Sequence, residues 1–147
     1  MVGNDFGNEV FAGRQDAHTG IILLGDGKNN FSVSNAAQSN FYVPGDAKSL
    51  VRLSGSKRDL FIASRNQETL RVFSRVSADN RDSFIPLPFD TYAELQFSDG
   101  KKQKIEFYYG SGYLSQSSRI IRIPMGVKEM VIFNSKGESR KFSPTGK

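Results

Sequence analysis

Tyr92-Ala93-Glu94-Leu95-Gln96-Phe97 is the stretch on which the reading of this chain turns. Ala93, Leu95 and Phe97 alternate with Tyr92, Glu94 and Gln96. That period of two places successive side chains on opposite faces of a β-strand. Ser98-Asp99-Gly100-Lys101 follows with turn chemistry, and Lys104-Ile105-Glu106-Phe107-Tyr108 then resumes the alternation with Ile105 and Phe107 on the apolar side. Two such runs around an Asp-Gly step predict an antiparallel hairpin, because the favoured two-residue turns need positive φ. Carried one residue further, the alternation places Tyr109 inward and Tyr108 outward.

Working outward, Arg119 to Ile123, Glu129 to Phe133 and Ser139 to Phe142 read as further strands, the last two joined by a turn at Lys136-Gly137-Glu138. Five antiparallel strands with one apolar face predict a sandwich-like sheet domain. Gly110-Ser111-Gly112-Tyr113-Leu114-Ser115-Gln116-Ser117-Ser118 is too rich in small residues for a strand and reads as a loop. Upstream, Asp79-Asn80-Arg81-Asp82 and the rigid Pro86-Leu87-Pro88 mark a boundary, giving a first part over 1–78 and a second over 79–147. Within the first part, Ile21 to Leu24 and Phe31 to Ser34 flank Gly25-Asp26-Gly27. Ser49 to Leu53, Leu60 to Ala63 and Leu70 to Val76 add three more strands, and no stretch there holds apolar residues at helical spacing. The fold class is all-β.

Composition narrows the chemistry. The 147 residues contain no cysteine and one histidine. Disulfides, thiolate metal sites, cysteine nucleophiles and multi-histidine metal sites are excluded. The longest apolar run, Ile21-Ile22-Leu23-Leu24, falls far short of the roughly 20 residues of a membrane-spanning helix. The formal charge is +5 and the isoelectric point about 9.6. Nine basic and seven acidic residues precede residue 79, and eleven and eight follow, so the excess of +2 and +3 is spread over both parts. Such a charge raises nonspecific affinity for polyanions, whereas nucleic-acid binders concentrate it in a stripe. Only Lys101-Lys102-Gln103-Lys104 approaches a stripe. Met1-Val2-Gly3-Asn4-Asp5 has neither the basic start nor the apolar core of a signal peptide.

Several strings resemble a known family. Gly20 to Phe31, with its Gly25-Asp26-Gly27 turn, resembles FG-GAP or VCBS-type propeller repeats, and Gly45-Asp46-Ala47-Lys48-Ser49-Leu50 followed by Asp59 to Asn66 is similar to the opening strands of a next blade. Gly110-Ser111-Gly112-Tyr113-Leu114-Ser115-Gln116-Ser117 resembles the signature of the ASPIC/UnbV domain, which follows such repeats in cartilage-acidic-protein-like proteins. The resemblance implies partial β-propeller blades over 1–78, an ASPIC/UnbV-like antiparallel β-sandwich over 79–147, and a piece of a longer extracytoplasmic protein whose signal peptide lies outside it. It also implies adhesion or ligand binding. The family's calcium loop would match Leu53-Ser54-Gly55-Ser56-Lys57-Arg58-Asp59, where only Asp59 is acidic and two cations would repel the ion. No cofactor is expected in this stretch.

Catalysis finds no constellation to carry it. Ser115, Ser117 and Ser118 have no accompanying base or oxyanion motif, and His18 lies among Gln15, Asp16, Ala17 and Thr19. Asp26, Asn29 and Asn30 are better explained by a turn that needs Asx residues than by a metal. The most suggestive surface is aromatic plus basic: Lys101, Lys102, Lys104, Tyr108, Tyr113, Ser115 and Gln116 are the candidate ligand-binding residues. Aromatic faces stack on sugars or bases, and lysines meet phosphate or uronate. The expected function is a noncatalytic extracytoplasmic module recognising a glycan or protein ligand. RNA binding through the lysine hairpin is the runner-up. Open blade edges further imply pairing with a second copy of the chain.

Overall fold

The computed structural model describes residues 1–7, 9–55, 58–75, 82–113 and 115–144. Most of the boundary stretch at Asp79–Asp82, Val76 at the end of one expected strand, Ser56 and Lys57 of the calcium-loop match, and Leu114 of the glycine-rich string lie outside the described residues. The chain divides into two compact units, one comprising Met1–Val76 with Gly110–Ser117, the other Ser77–Tyr109 with Ser118–Lys147. Both are built from antiparallel strands, and the all-β class holds.

In the first unit, β1 (Ile22–Gly25) and β2 (Phe31–Ser34) form a hairpin. Asp26 closes its loop: its carboxylate accepts the backbone N–H of Lys28 at 2.7 Å and the Asn30 side-chain amide at 2.7 Å. The Asn30 amide, first among several hydrogen bonds, holds the Asp26 carboxyl below its usual range. A single helical turn, α1 (Ala36–Ser39), is capped at Asn35 by reciprocal bonds with Gln38 and stopped at Asn40, where φ is +54°. A separate sheet then follows in the order β3-β4-β5, made of β3 (Ala47–Ser54), β4 (Asp59–Arg65) and β5 (Arg71–Ser74). Its inner face packs Ala63, Leu50 and Phe73 with Phe41, Val43, Ala47, Val2 and Ile22. Beside this core the buried Asp46 carboxylate pairs with the Lys48 ammonium at 2.7 Å, and Lys48 also reaches Asp5 at 3.0 Å.

The second unit is sandwich-like. A four-stranded sheet runs in the order β11-β10-β7-β8, made of β7 (Asp90–Phe97), β8 (Lys102–Glu106), β10 (Val127–Asn134) and β11 (Ser139–Phe142). A short ribbon of β6 (Ser83–Phe84) and β9 (Ile121–Arg122) supplies the opposing layer. Ala93, Leu95, Met130 and Ile132 from the sheet meet Phe84, Ile121, Ile123 and Phe107 in one cluster. Burying each large side chain there contributes roughly 1.5–3 kcal/mol. The alternation in Tyr92–Phe97 thus gives the inner face that it predicts.

Two expectations need correction. The described strands form sheets of two, three, four and two strands, and no closed propeller is present. The β1-β2 hairpin and the β3-β4-β5 sheet make their ladders separately, and neither is a four-stranded blade. The expected strand over Arg119–Ile123 shrinks to Ile121–Arg122, because its partner β6 is two residues long and proline, which cannot donate to a ladder, follows nearby at Pro86 and Pro124. Among the described residues no helix is long and apolar enough to cross a membrane.

Candidate ligand-binding surface

The outer face of the four-stranded sheet follows from its register. Opposite pairing sets Glu106, Tyr92, Phe133 and Ser139 in one row across four strands, and Lys104, Glu94, Val131 and Lys141 in the next. These positions alternate with the buried ones, so their side chains lie on the side away from the core. Tyr92 and Phe133 stack with ring centroids 4.6 Å apart and planes 12° from parallel. The Lys104 ammonium sits 4.4 Å over the Tyr92 ring and 3.0 Å from Glu106, and the Tyr108 hydroxyl donates to the same Glu106 carboxylate. Tyr108, Glu106, Lys104, Tyr92 and Phe133 thereby form one connected chain of side chains.

The electrostatics follow from that geometry. Hydrogen bonding from Tyr108, then from Lys104, holds the Glu106 carboxyl below its usual range. The same bond to Glu106 raises the Tyr108 hydroxyl, and the Glu106 carboxylate raises Lys104. Glu106 is therefore a fixed, ionised acceptor, and Lys104 a fixed donor, beside the exposed Tyr108 ring. Lys101 is engaged as well, at 2.9 Å from Asp99, which raises its pKa and lowers that of Asp99. Among the described residues Lys102 alone of the three hairpin lysines makes no ion pair. Across the outer rows Lys102, Lys104 and Lys141 are matched by Glu94, Glu106 and Glu129, with Lys141 2.9 Å from Glu129. The basic stripe read from the sequence is electrically balanced.

Tyr109 departs from the inward position that the alternation gives it. It is 63% exposed, beside Tyr108 at 61%. β8 ends at Glu106, so the period of two no longer governs Tyr109. Its ring instead lies under the Arg119 guanidinium, 3.9 Å from the centroid, and its hydroxyl donates to the Pro88 carbonyl at 3.1 Å. Arg119 also donates to the carbonyls of Leu87 at 3.3 Å and Asp90 at 3.0 Å, fastening the proline-rich segment to the sheet.

The remaining candidates, Tyr113, Ser115 and Gln116, belong to the first unit. Tyr113 is 75% exposed. Gln116 staples its own loop, accepting from the Gly110 N–H and donating to the Ser117 carbonyl at 2.7 Å. Ser117 Oγ accepts the Arg52 N–H at 3.0 Å, which ties the loop to β3. Ser115 pairs with Gly112 in a short bridge and has its hydroxyl oxygen buried. Within the second unit the structure brings together Lys104 and Tyr108, both at Glu106. Glu106, Tyr92 and Phe133 are the members that the sequence reading passed over; Tyr92 and Glu106 were already on the outward side of the alternation. Among the described residues no group of three or more His, Cys, Asp or Glu is placed to hold a metal ion.

Compared with family models, with curated proteins and with solved structures, the chain finds no match in any of the three. The FG-GAP, VCBS and ASPIC/UnbV resemblance is corrected accordingly: no family model recognises those strings. Short Gly-Asp-Gly and Gly-Ser-Gly strings are turn and loop chemistry that arises in many folds. Here Asp26 serves its own hairpin loop, and Gln116 its own glycine-rich one.

Proposed function

We propose that this chain is a noncatalytic binding module that takes a glycan on the outer face of the four-stranded sheet, at Tyr108, Glu106 and Lys104. The observation that carries the reading is the carboxylate of Glu106, held between the Tyr108 hydroxyl and the Lys104 ammonium beside exposed aromatic surface. Sugars present paired hydroxyls and an apolar ring face. A fixed acceptor next to a fixed donor meets the hydroxyls, and a tyrosine ring meets the apolar face. Groups already oriented by one another lose less freedom when a ligand arrives. Nucleic acid has less support as the ligand, since Lys101 and Lys104 are already neutralised by Asp99 and Glu106.

A glycan array probed with the intact chain tests this. A glycan retained by the unmodified protein should lose about tenfold in affinity with Tyr108→Ala, in line with the loss of one aromatic contact. Glu106→Gln should weaken the same glycan while leaving the circular dichroism spectrum unchanged. Glycan affinity untouched by both substitutions, or an array on which nothing binds, would sink the reading.

A further inference from the structure

The first unit offers a second, independent surface at the edge of its three-stranded sheet. Among the described residues β5 pairs only with β4, so its far side carries no ladder. The backbone N–H of Arg75 donates to the Asp59 carbonyl at 3.1 Å. In an antiparallel ladder hydrogen-bonded and non-hydrogen-bonded pairs alternate. Phe73–Phe61 and Arg71–Ala63 are therefore hydrogen-bonded pairs, and Val72–Ile62 and Ser74–Leu60 are not. It follows that Val72 and Ser74 direct both N–H and C=O away from β4. Two donors and two acceptors stand in line at the open edge.

The side chains around this edge set the chemistry of what would pair with it. Val51, Ile62 and Val72 face one another across the three strands, with Leu53 and Leu60 in the adjacent row. Val72 is 57% exposed, so an added strand with an apolar residue opposite it would extend the row. Arg71 is exposed and makes no ion pair among the described residues. It would stand in a non-hydrogen-bonded pair with the added strand, the arrangement in which side chains come closest. Leu70 to Arg75 contains two arginines and no acid. A second copy of this chain would bring the same arginines to the same short edge, where like charges oppose pairing.

We infer that β5 accepts an extended acidic peptide by β-strand addition, with main-chain bonds to Val72 and Ser74 and a carboxylate on Arg71. The occupant is an antiparallel segment with an acid facing Arg71, an apolar residue facing Val72 and an aromatic facing Phe73.

The probe is a fluorescein-labelled peptide, acetyl-Ser-Glu-Thr-Phe-Val-Glu-Ser-amide, titrated with the full chain and read by anisotropy. Its companions carry Lys in place of both Glu, or an N-methyl group on the Val amide. The acidic peptide should bind at least roughly fivefold tighter than the Lys version. The N-methylated peptide should fail, and amide exchange at Val72 and Ser74 should slow in the complex. Arg71→Glu, an exposed change, should reverse the preference. Equal binding of the acidic and Lys peptides, or binding of neither, overturns the proposal. So does slowed exchange at Val72 and Ser74 without peptide together with a dimer in sedimentation, which would give the edge to a second copy.

Discussion

Arg140 grips both carboxylate oxygens of Asp90, with Nη1 2.6 Å from Oδ1. Asp90 opens β7 and Arg140 lies on β11, so the pair reaches across β10, which runs between them. The carboxylate is 1% exposed and also accepts the Leu87 N–H at 2.7 Å. The guanidinium lies 5.8 Å from the centre of the Phe84 ring. One ion pair thus fixes the edge strand, the start of the central strand and the proline-rich segment that leads into it.

Removing the cation should expose what the pair contributes. Arg140→Leu leaves a buried carboxylate with only the Leu87 bond, and should cost about 3 kcal/mol in urea unfolding. That is the low end for breaking a buried pair, because Arg140 itself is 39% exposed. Asp90→Asn keeps an acceptor for Leu87 and should cost less. A loss below about 1 kcal/mol for Arg140→Leu would show that the pair is solvent-screened in solution.

The same pair sets a pH dependence with a definite sign. Arg140, the largest influence, holds the Asp90 carboxyl below its ordinary value, with the Leu87 bond adding to the effect against the opposing burial. A carboxyl whose folded pKa is depressed stabilises the fold above its unfolded value, about 3.9, and loses that contribution as pH falls through the folded value. Thermal melts of the unmodified protein and Asp90→Asn should therefore differ most near neutrality and converge below about pH 4. A gap that stays constant down to pH 3 would assign the effect to packing instead.

The hairpin of β7 and β8 was legible because one-sided burial imposes a period of two on Tyr92–Phe97 and Lys104–Phe107, and Asp99-Gly100 punctuates them. The Asp26 turn was legible for a similarly local reason: its partners Lys28 and Asn30 are within four residues. What was not legible depends on contacts distant in sequence. Tyr109 leaves the alternation for Arg119, ten residues on, and the glycine-rich loop is tied to β3 by a bond between Arg52 and Ser117, sixty-five residues apart. The candidate site was half legible. Lys104 and Tyr108 could be chosen by residue type, but only the side-chain geometry shows that Glu106, two residues from each, pairs with the first and accepts from the second.

Gly20 should tolerate no side chain. Its φ is +96°, where an L-residue is strained, and an added Cβ would lie 3.0 Å from Phe41 Cε1. Phe41 is part of the first unit's core and contacts Phe73, ring centroid to centroid, at 4.7 Å. Gly20→Ala should destabilise that unit by about 1–2 kcal/mol from the backbone alone, with displacement of Phe41 adding to it. Urea melts followed by amide exchange at Val43 and Ala63 would register the loss. Unchanged protection at both positions would mean that the backbone relaxes without cost.

Binding to polyanions should reveal how far the ion pairs have disarmed the lysine hairpin. The formal charge of +5 draws any polyanion, but Lys101 and Lys104 already spend their charge on Asp99 and Glu106. Labelled single-stranded RNA and heparin should bind comparably at low salt and both be lost at physiological salt. Lys102→Ala should reduce the logarithmic salt slope for RNA by about 0.7, the value for one phosphate contact on a single strand. Lys101→Ala and Lys104→Ala should change it less, since each ammonium is already engaged by an acid of its own strand or turn and contributes less to a phosphate contact. RNA affinity that survives physiological salt, exceeds that of heparin and falls equally with all three substitutions would make the hairpin a nucleic-acid site, and would displace the glycan reading of the same sheet.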